Sequence, residues 1–306
     1  MRVRPLLCLA AGAAFLLAGC SAGSAASGGS AIPASAESQK ITWATTPVSD
    51  DPSAQNPVLA LKELLEAETG REVEIVDVPD YTAVLEAIRN GHVDIGLMSG
   101  FSSALAVNTG EIDALVAWPG ADEPVSSCYV LADSEIRSLD DITPETVSAF
   151  ADPASSSGYF MPTHLLHEAG LEADTDYTKM FAGGHDMAAL AVQNGQAQVG
   201  CTASMFFNMY GSPYFPFKEG DVRVIGESIS MPVGMAVLGN QSMDAEKRQD
   251  IIEAIPSIFS KENADTLGVY SASTVGVEPF IEPDEELFAP LVDIAAVAGV
   301  DISDLG

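Results

Sequence analysis

The strongest constraint on the fold is an internal repeat. The segments AIRNGHVDIGLMS, from Ala87, and AVQNGQAQVGCTA, from Ala191, match at several positions with a constant offset of 104 residues. In each, an apolar helix-like run ends at Asn-Gly and a strand-like run follows. Any helix can end at Asn-Gly, so one instance would mean little. The match of several positions in the same order, including Gly96 with Gly200, favours two halves of similar architecture.

Strand-like and helix-like runs alternate around both copies of the repeat. The first half reads ITWATT, NPVLALKELLEAETG, EVEIVDVP, YTAVLEAIRNG and HVDIGLMS. The second half starts with a short strand at 149–153 and a helix at 159–170, and it continues as TKMFAG, DMAALAVQNG and QAQVGCTAS. This order predicts parallel sheets that are covered by helices.

Two crossings connect the halves. ALVAWPGADEPVSSCYVLA and DVRVIGESISMPVGMAVL are apolar, strand-like runs that can leave one half and enter the other, and the helix-like tail after Met243 returns to the first half. We therefore predict an α/β fold of two βαβ-type lobes joined by two crossing strands. Lobe 1 comprises 40–121 and 234–306, and lobe 2 comprises 122–233. A ligand cleft is expected between them, at the carboxyl ends of the strands.

The N-terminal segment predicts export. MRVRPLLCLAAGAAFLLAGC has a basic start, an apolar run and small residues before Cys20, which is typical of a secretory signal over 1–19. The residues LAGC resemble the lipobox of bacterial lipoproteins, which implies cleavage before Cys20 and lipid attachment to its sulfur. The Ser/Gly/Ala-rich stretch 20–39 predicts a flexible tether. The protein is thus expected outside the cytoplasm, lipid-anchored to the cell membrane; the alternative is a soluble exported protein.

Charge narrows the range of partners. The chain has 13 Lys and Arg against 44 Asp and Glu, a net charge of −31. Such a surface repels nucleic acid and anionic lipid headgroups, so no nucleic-acid partner is expected. It also fails to attract an anionic ligand over distance. Any anion site must therefore work through local backbone dipoles and hydrogen bonds.

The stretch ADPASSSGYFMP is a candidate for such an anion site. Ser155, Ser156 and Ser157 precede a helix-like run. The first N–H groups of a helix have no acceptor within the helix, and the helix dipole favours negative charge there. Gly158 lets the backbone approach a ligand closely. A tetrahedral oxyanion suits this arrangement; the alternative is that one serine caps the helix and the others line a loop.

Further donors come from the two halves. At the offset of 104, Tyr81 corresponds to His185, and both open the helix that ends at Asn-Gly. A phenol and an imidazole can each donate to an oxyanion; the alternatives are packing for Tyr81 and a backbone hydrogen bond for His185. A second candidate helix start, after the strand HVDIGLM, carries three serines: Ser99, Ser102 and Ser103. Capping alone would also explain those serines.

Four segments together resemble a known family. They are YTAVLEAIRNGHVDIGLMSGFSSALA, DSEIRSLDDI, FADPASSSGYFMP and FAGGHDMAALAVQNG. They are similar to substrate-binding lipoproteins of phosphate/phosphite/phosphonate ABC transporters. The resemblance implies a type II periplasmic-binding-protein fold that closes on a small oxyanion, a monomer without cofactor or catalysis, and an ABC permease and ATPase as partners. It also implies ligand contacts at Tyr81, His185 and Asp186, together with the serines.

Two positions depart from the family pattern. Ser103 stands where members commonly have Tyr, and Gly234 falls near an expected Asp. Loss of that Asp weakens the case for aminoalkylphosphonates, and two smaller residues suggest a roomier pocket. The hypothesis is a phosphonate or phosphate ester with an uncharged substituent, or an unrelated oxyanion.

Cys128 and Cys201 are the cysteines of the folded part. They can pair in an oxidising compartment or stay as two buried thiols. In two-lobe binding folds the strands that carry them are usually neighbours, which favours a disulfide.

Two rival functions remain open. His164 and His167, with Glu168, have a metal-like spacing that a metal-dependent hydrolase could use, but no third, distant ligand is evident and a solvated helix face is the preferred interpretation. A ligand-sensing binding protein would use the same cleft as a transport protein.

Overall fold

Two β-sheets with flanking helices make up the described part of the chain. The computed structural model describes residues 40–46 and 57–297. The strands are β1 (Ile41–Thr45), β2 (Val73–Asp77), β3 (Ile95–Ser99), β4 (Ile112–Pro119), β5 (Ser126–Leu131), β6 (Val147–Phe150), β7 (Thr178–Phe181), β8 (Val199–Ala203), β9 (Val222–Glu227), β10 (Val233–Asn240) and β11 (Phe280–Ile281).

The helices lie between and after these strands. They are α1 (Pro57–Thr69), α2 (Tyr81–Arg89), α3 (Gly100–Asn108), α4 (Met161–Glu168), α5 (His185–Gln193), α6 (Ala245–Ile258), α7 (Ala264–Leu267), α8 (Ser271–Thr274) and α9 (Ala289–Val297). A π-helical turn, Ser156–Phe160, leads into α4. Short 3₁₀ turns are Leu139–Asp141, Ser204–Asn208, Lys261–Asn263, Gly268–Tyr270 and Glu285–Leu287.

The strand order confirms the predicted α/β fold of two lobes. The first sheet has the order β11-β4-β10-β3-β1-β2, and the second has β7-β6-β8-β5-β9. Strands β1, β2 and β3 pair in parallel, as do β6, β7 and β8. The chain passes from the first sheet to the second between β4 and β5, and it returns between β9 and β10. Below, the first lobe means the elements around the first sheet, and the second lobe those around the second; the predicted lobe boundaries stay a prediction.

The repeat is visible in the backbone as well as in the sequence. Helices α2 and α5 both end at an Asn-Gly pair, whose glycines have φ of +67° and +71°, a region that favours glycine. Within the strands that follow, Gly96 lies beside Ala44 of β1, and Gly200 lies beside Ala149 of β6. A Cβ at Gly96 would lie 2.8 Å from Val84, and one at Gly200 2.7 Å from Tyr129. The strand glycines therefore let a helix or a ring pack closely on each sheet.

One strand is displaced from its predicted position. The second half was expected to start with a strand at 149–153, but β6 is Val147–Phe150. Pro153 has no N–H with which to join a ladder, so the strand ends before it. The predicted helix at 159–170 likewise begins earlier, through the π-helical turn.

Cys128 and Cys201 lie opposite each other on the antiparallel strands β5 and β8. Their sulfurs are 2.06 Å apart and form a disulfide. Both residues are fully buried, so the bridge lies inside the second lobe.

The predicted signal and tether, 1–39 with Cys20, lie outside the described residues. Among the described residues, no helix has both the length and the apolar character that a membrane span needs.

Candidate functional site

A cavity of about 870 Å³ lies where the strand ends of the two sheets face each other. From the first lobe, it is lined by residues at or just after the ends of β1, β2 and β3, such as Thr46, Tyr81 and Ser99. From the second lobe, the lining follows β6, β7 and β8. The carboxyl ends of parallel strands are where ligands bind in open α/β sheets, so this cavity is the candidate site.

The structure brings most of the predicted ligand contacts into this cavity. Seven line it: Tyr81, Ser99, Ser155, Ser156, Ser157, His185 and Asp186. Three do not: Ser102, Ser103 and Gly158. The serine segment and the two helix starts therefore meet in one space, although they are far apart in sequence.

The serine segment forms the start of a helix, as its sequence suggests. Ser155 is the N-cap, and its hydroxyl oxygen accepts from the N–H of Gly158 at 3.1 Å. A Cβ at Gly158 would collide with Ala151 and lie 2.9 Å from both His185 Cε1 and Ser155 Oγ. Gly158 thus supports the site by letting the imidazole pack against the turn, rather than by lining the cavity.

His185 opens α5 and lies against this turn. Its Nδ1 is 2.8 Å from Thr202 Oγ1, and its Nε2 is 3.5 Å from Ser155 Oγ. Desolvation lowers the pKa of His185 to about 4, so the ring is neutral at neutral pH. A neutral imidazole has one N–H. If Thr202 donates to Nδ1, that N–H is on Nε2, beside Ser155.

Tyr81 opens α2 on the opposite side. Burial, together with the nearby carboxylates of Asp152 and Asp186, raises the pKa of Tyr81 to about 12. The phenol therefore stays protonated and can donate. Tyr270 and Tyr214 also line the cavity, and the pKa of Tyr270 is raised by burial and by both other tyrosines. Three tyrosines thus line the same cavity.

Two of the three first-lobe serines, Ser102 and Ser103, do not line the cavity. Ser103 is fully buried, and its hydroxyl donates to the carbonyl of Ser99 at 2.9 Å, within the first turn of α3. Ser102 donates to the carbonyl of Ala154, in the other lobe, at 2.5 Å. Residues 100–106 of α3 are all buried, so Ser102 and Ser103 have no route to the cavity. The suggestion that Ser103 enlarges the pocket therefore has no support, whereas Gly234 does line the cavity.

Ser156 links the two lobes directly. Its hydroxyl accepts from the N–H of Phe101 at 2.7 Å and donates to Ser99 Oγ at 2.8 Å. Beside these bonds, the rings of Phe101 and Phe160 are stacked with their centroids 3.3 Å apart. The start of α3 and the start of the serine helix are thus joined through one hydroxyl, which we call the interlobe serine contact (Ser99, Phe101 and Ser156).

Sequence reasoning missed Asp152, Tyr214 and Tyr270. Asp152 is 5% exposed, and its carboxylate accepts from the N–H of Ala154 at 2.7 Å. Burial raises its pKa. The sequence did contain a pattern that could have identified Asp152, because it stands in an Asp-Pro pair shortly before the three serines. Tyr214 and Tyr270 lie outside the repeat, and no local pattern marked them.

The electrostatics of the lining favour hydrogen bonding over charge pairing. Among the described residues that line the cavity, none is Lys or Arg, whereas five are Asp or Glu: Asp80, Glu123, Asp152, Asp186 and Glu227. An anion here would be held by hydroxyl, imidazole and backbone N–H donors. Helix starts supply such donors without a formal positive charge.

The predicted metal-like histidines lie elsewhere. His167 Nδ1 is 2.7 Å from a carboxylate oxygen of Glu172 at the end of α4. Within 40–46 and 57–297, no group of three or more His, Cys, Asp or Glu is placed to hold a metal ion.

Sequence comparisons identify relatives of this chain. The model of a family described as "ABC transporter, phosphonate, periplasmic substrate-binding protein" matches residues 44–288. The phosphate-import protein PhnD of Mycolicibacterium smegmatis is 29% identical over 237 residues, 73% of this chain and 72% of that protein. The phosphonates-binding periplasmic protein of Escherichia coli is 29% identical over 174 residues, 55% of this chain and 51% of that protein.

Solved structures share the fold. A binding protein component of an ABC phosphonate transporter from Pseudomonas aeruginosa has a TM-score of 0.69 at 18% identity, over 85% of this chain and 86% of that one. PhnD1 from Prochlorococcus marinus, in complex with methylphosphonate, has a TM-score of 0.67 at 16% identity, over 85% and 98%. These likenesses concern the fold, and the family match covers most of the chain. The chain belongs to the phosphonate periplasmic substrate-binding protein family of ABC transporters.

Proposed function

We propose that the protein binds a small phosphorus oxyanion, such as a phosphonate, phosphite or phosphate ester, in the cavity between its lobes. It passes this ligand to the permease and ATPase of an ABC importer. The observation that carries the proposal is the convergence of neutral donors from both lobes in one cavity. Relatives named for phosphate import and for phosphonate binding support the ligand class.

The serine helix captures the oxyanion first. Ser155 and Ser157 offer hydroxyls at the helix start, and the dipole of α4 and its leading turn adds favourable potential. His185 donates from the start of α5, so two helix starts of the second lobe meet at the anion. Asp186, the next residue, lines the cavity and accepts from the N–H of Met187 at 2.9 Å.

The first lobe completes the shell when the lobes close. Tyr81 donates from the start of α2, and Tyr270 adds a second phenol. The interlobe serine contact forms at the same time, because it joins residues of both lobes. Contacts that exist only in the closed state shift the population toward closure, and no covalent step is needed.

Titration calorimetry tests the proposal. The purified protein, stripped of bound ligand by unfolding and refolding, is titrated with phosphite, phosphate, methylphosphonate, 2-aminoethylphosphonate and sulfate. We expect at least one phosphorus oxyanion to bind, and Ser155→Ala and His185→Ala to weaken that binding by about tenfold or more. His92→Ala, which removes an exposed histidine outside the cavity, is the matched control. Binding of sulfate alone, or no effect of both cavity variants, would refute the proposal.

Membrane attachment is a separate part of the proposal. Lipid on Cys20, followed by the tether 20–39, would hold a monomeric binding protein beside its permease. Cell fractionation tests this: the native chain should be in the membrane fraction, and Cys20→Ser should release it. An unchanged membrane fraction for the variant would contradict lipid anchoring.

A further inference from the structure

The cavity is much larger than a bare oxyanion needs. Its volume is about 870 Å³. A water molecule takes roughly 30 Å³ in the liquid, so an oxyanion of five heavy atoms fills only a small part of this space. The residues that line the remaining space therefore indicate the chemistry of the group attached to the oxyanion.

An aromatic wall leads away from the oxyanion donors. The ring of Phe206 contacts His185 edge-on, with the centroids 5.3 Å apart. Tyr214 is stacked on Phe206 at 6.2 Å, with 15° between the planes. Both rings line the cavity and are mostly buried, at 7% and 9% exposure. If the oxyanion binds beside His185, its substituent would therefore contact the rings of Phe206 and Tyr214.

Five methionines line the cavity, one of which, Met98, lies in β3 of the first lobe. Met187 and Met205 line the cavity in the second lobe, and Met231 and Met235 line it around the second crossing. With Met98, these four are half of the ten methionines in the chain. Methionine is flexible and polarizable, and its sulfur contacts aromatic rings favourably. Such a wall adapts to an apolar body of variable shape.

The interior carboxylates already have hydrogen-bond donors. Asp152 accepts from the N–H of Ala154, and Asp186 from that of Met187. Asp80, Glu123 and Glu227, the other acidic lining residues, are exposed. One hydrogen bond leaves other acceptor positions on each carboxylate, so the ligand series below compares a cationic with an uncharged substituent.

We infer that the space beside Phe206, Tyr214 and the four methionines binds the organic substituent of the ligand, and that this substituent is aromatic or bulky and apolar. The preferred ligands are then arylphosphonates or aryl phosphate monoesters. This inference rests on the proposed function, because it requires the oxyanion to sit at Ser155 and His185.

A ligand series tests the inference with the unmodified protein. Methylphosphonate and phenylphosphonate share the oxyanion and differ in the ring. 2-Aminoethylphosphonate and n-propylphosphonate have equal numbers of heavy atoms and differ in charge. We expect phenylphosphonate to bind about tenfold or more tightly than methylphosphonate, because the ring leaves water for an apolar wall. We expect n-propylphosphonate to bind more tightly than 2-aminoethylphosphonate.

A further arm separates the two possible sources of an aryl oxyanion. Phenyl phosphate carries the same ring through a P–O–C ester. Tighter binding of phenyl phosphate than of phenylphosphonate assigns the site to esters, and the reverse assigns it to C–P compounds; either supports an aryl subsite if both exceed methylphosphonate.

Variants locate the subsite. Phe206→Ala should reduce the preference for phenylphosphonate over methylphosphonate to within about threefold. Because Phe206 also packs on His185, the readout is the ratio of the two affinities and not either affinity alone. Phe207→Ala is the matched control, because this neighbouring ring packs on Tyr129 and Phe215 and does not line the cavity. Met205→Ala, at a half-buried position, provides a second test should Phe206→Ala fail to fold.

The outcomes distinguish the two levels of the proposal. If methylphosphonate binds and phenylphosphonate binds equally or more weakly, the aryl subsite is refuted and the proposed function stands. Tighter binding of 2-aminoethylphosphonate than of n-propylphosphonate also refutes it. If no phosphorus oxyanion binds, the proposed function itself fails, and the inference fails with it.

Discussion

His185 shows how a single residue combines packing with ligand chemistry. Its ring is enclosed by the serine turn, Thr202 and Phe206, and this enclosure makes the charged form unfavourable. An anion site that relied on an imidazolium charge would lose affinity as pH rises through neutrality. A neutral donor in a neutral shell keeps the same hydrogen bonds over that range.

The lowered pKa of His185 predicts a pH dependence of stability. Because the folded-state pKa is about 4 and the ordinary value is 6.5, the unfolded chain binds the proton more readily between these values. We therefore expect the free energy of unfolding to fall as pH falls from about 6.5 to about 4, and His185→Gln to reduce this dependence. NMR titration of the ring checks the cause directly: a midpoint near 6.5 would contradict the explanation.

Gly158 should be intolerant of a side chain. A Cβ there would collide with Ala151 and crowd His185 and Ser155, in a tightly packed turn. Overpacking of this kind costs about 1–3 kcal/mol, so we expect Gly158→Ala to lower the unfolding temperature and to weaken oxyanion binding. Gly234→Ala is the control, because its Cβ would meet nothing closer than 3.4 Å. Equal unfolding temperatures for the two variants would contradict this prediction, because they would show that the turn can rearrange to accommodate a Cβ at Gly158 without loss of stability.

At the scale of elements, the site depends on helix starts that meet from two lobes. Helices α2 and α5 are related by the repeat, and each places its first residue, Tyr81 or His185, at the cavity. The serine turn before α4 adds a third helix N-terminus. The N-terminus of α3 is the fourth, and it contacts the serine turn through Ser156. The repeat therefore predicted two of these starts, because equivalent strands end at the same edge of each sheet.

The interlobe serine contact predicts an effect on closure rather than on ligand choice. Ser156→Ala leaves the N–H of Phe101 without its acceptor in the closed state, at a cost of about 1–3 kcal/mol. We expect all ligands to bind more weakly by about the same factor, with their relative affinities unchanged. Calorimetry on two or more ligands measures this. Ser157→Ala removes a cavity hydroxyl outside this contact and serves as the comparison.

A large change in the ratio of affinities in Ser156→Ala would contradict this role. It would show that Ser156 contacts the oxyanion itself, as the resemblance to the family implied.

At the scale of the whole molecule, the net charge of −31 opposes an anionic ligand. The cavity has no Lys or Arg among its described lining residues to offset this. Long-range repulsion between the protein and an anionic ligand slows their association, whereas short-range hydrogen bonds hold the ligand once it is bound. Association and dissociation should therefore respond differently to salt.

We expect the association rate constant for an anionic phosphonate to rise with ionic strength, by about two- to tenfold between roughly 0.01 and 0.1 M salt. The dissociation rate constant should change little. Stopped-flow fluorescence measures both. Zwitterionic 2-aminoethylphosphonate should show a smaller rise, and an association rate that falls with salt for anionic ligands would contradict the argument.

The sequence by itself determined the fold and the edge of each sheet at which a ligand would bind. Its alternation of strand-like and helix-like runs, and the Asn-Gly repeat, are local signals that depend on neighbouring residues and on backbone geometry. The same reasoning found Tyr81, His185 and the serine turn, because each stands at a helix start directly after a strand.

Only the tertiary structure decided which side chains share the cavity. Ser103 follows the end of its strand at the same distance in sequence as Tyr81 and His185 follow theirs. Its helix is buried, however, and its hydroxyl donates to the carbonyl of Ser99. Tyr270 and Phe206 reach the cavity from turns that carry no repeat signal. The direction in which a side chain points, and the partner it meets across the lobes, depend on how whole elements pack, and no local pattern encodes that packing.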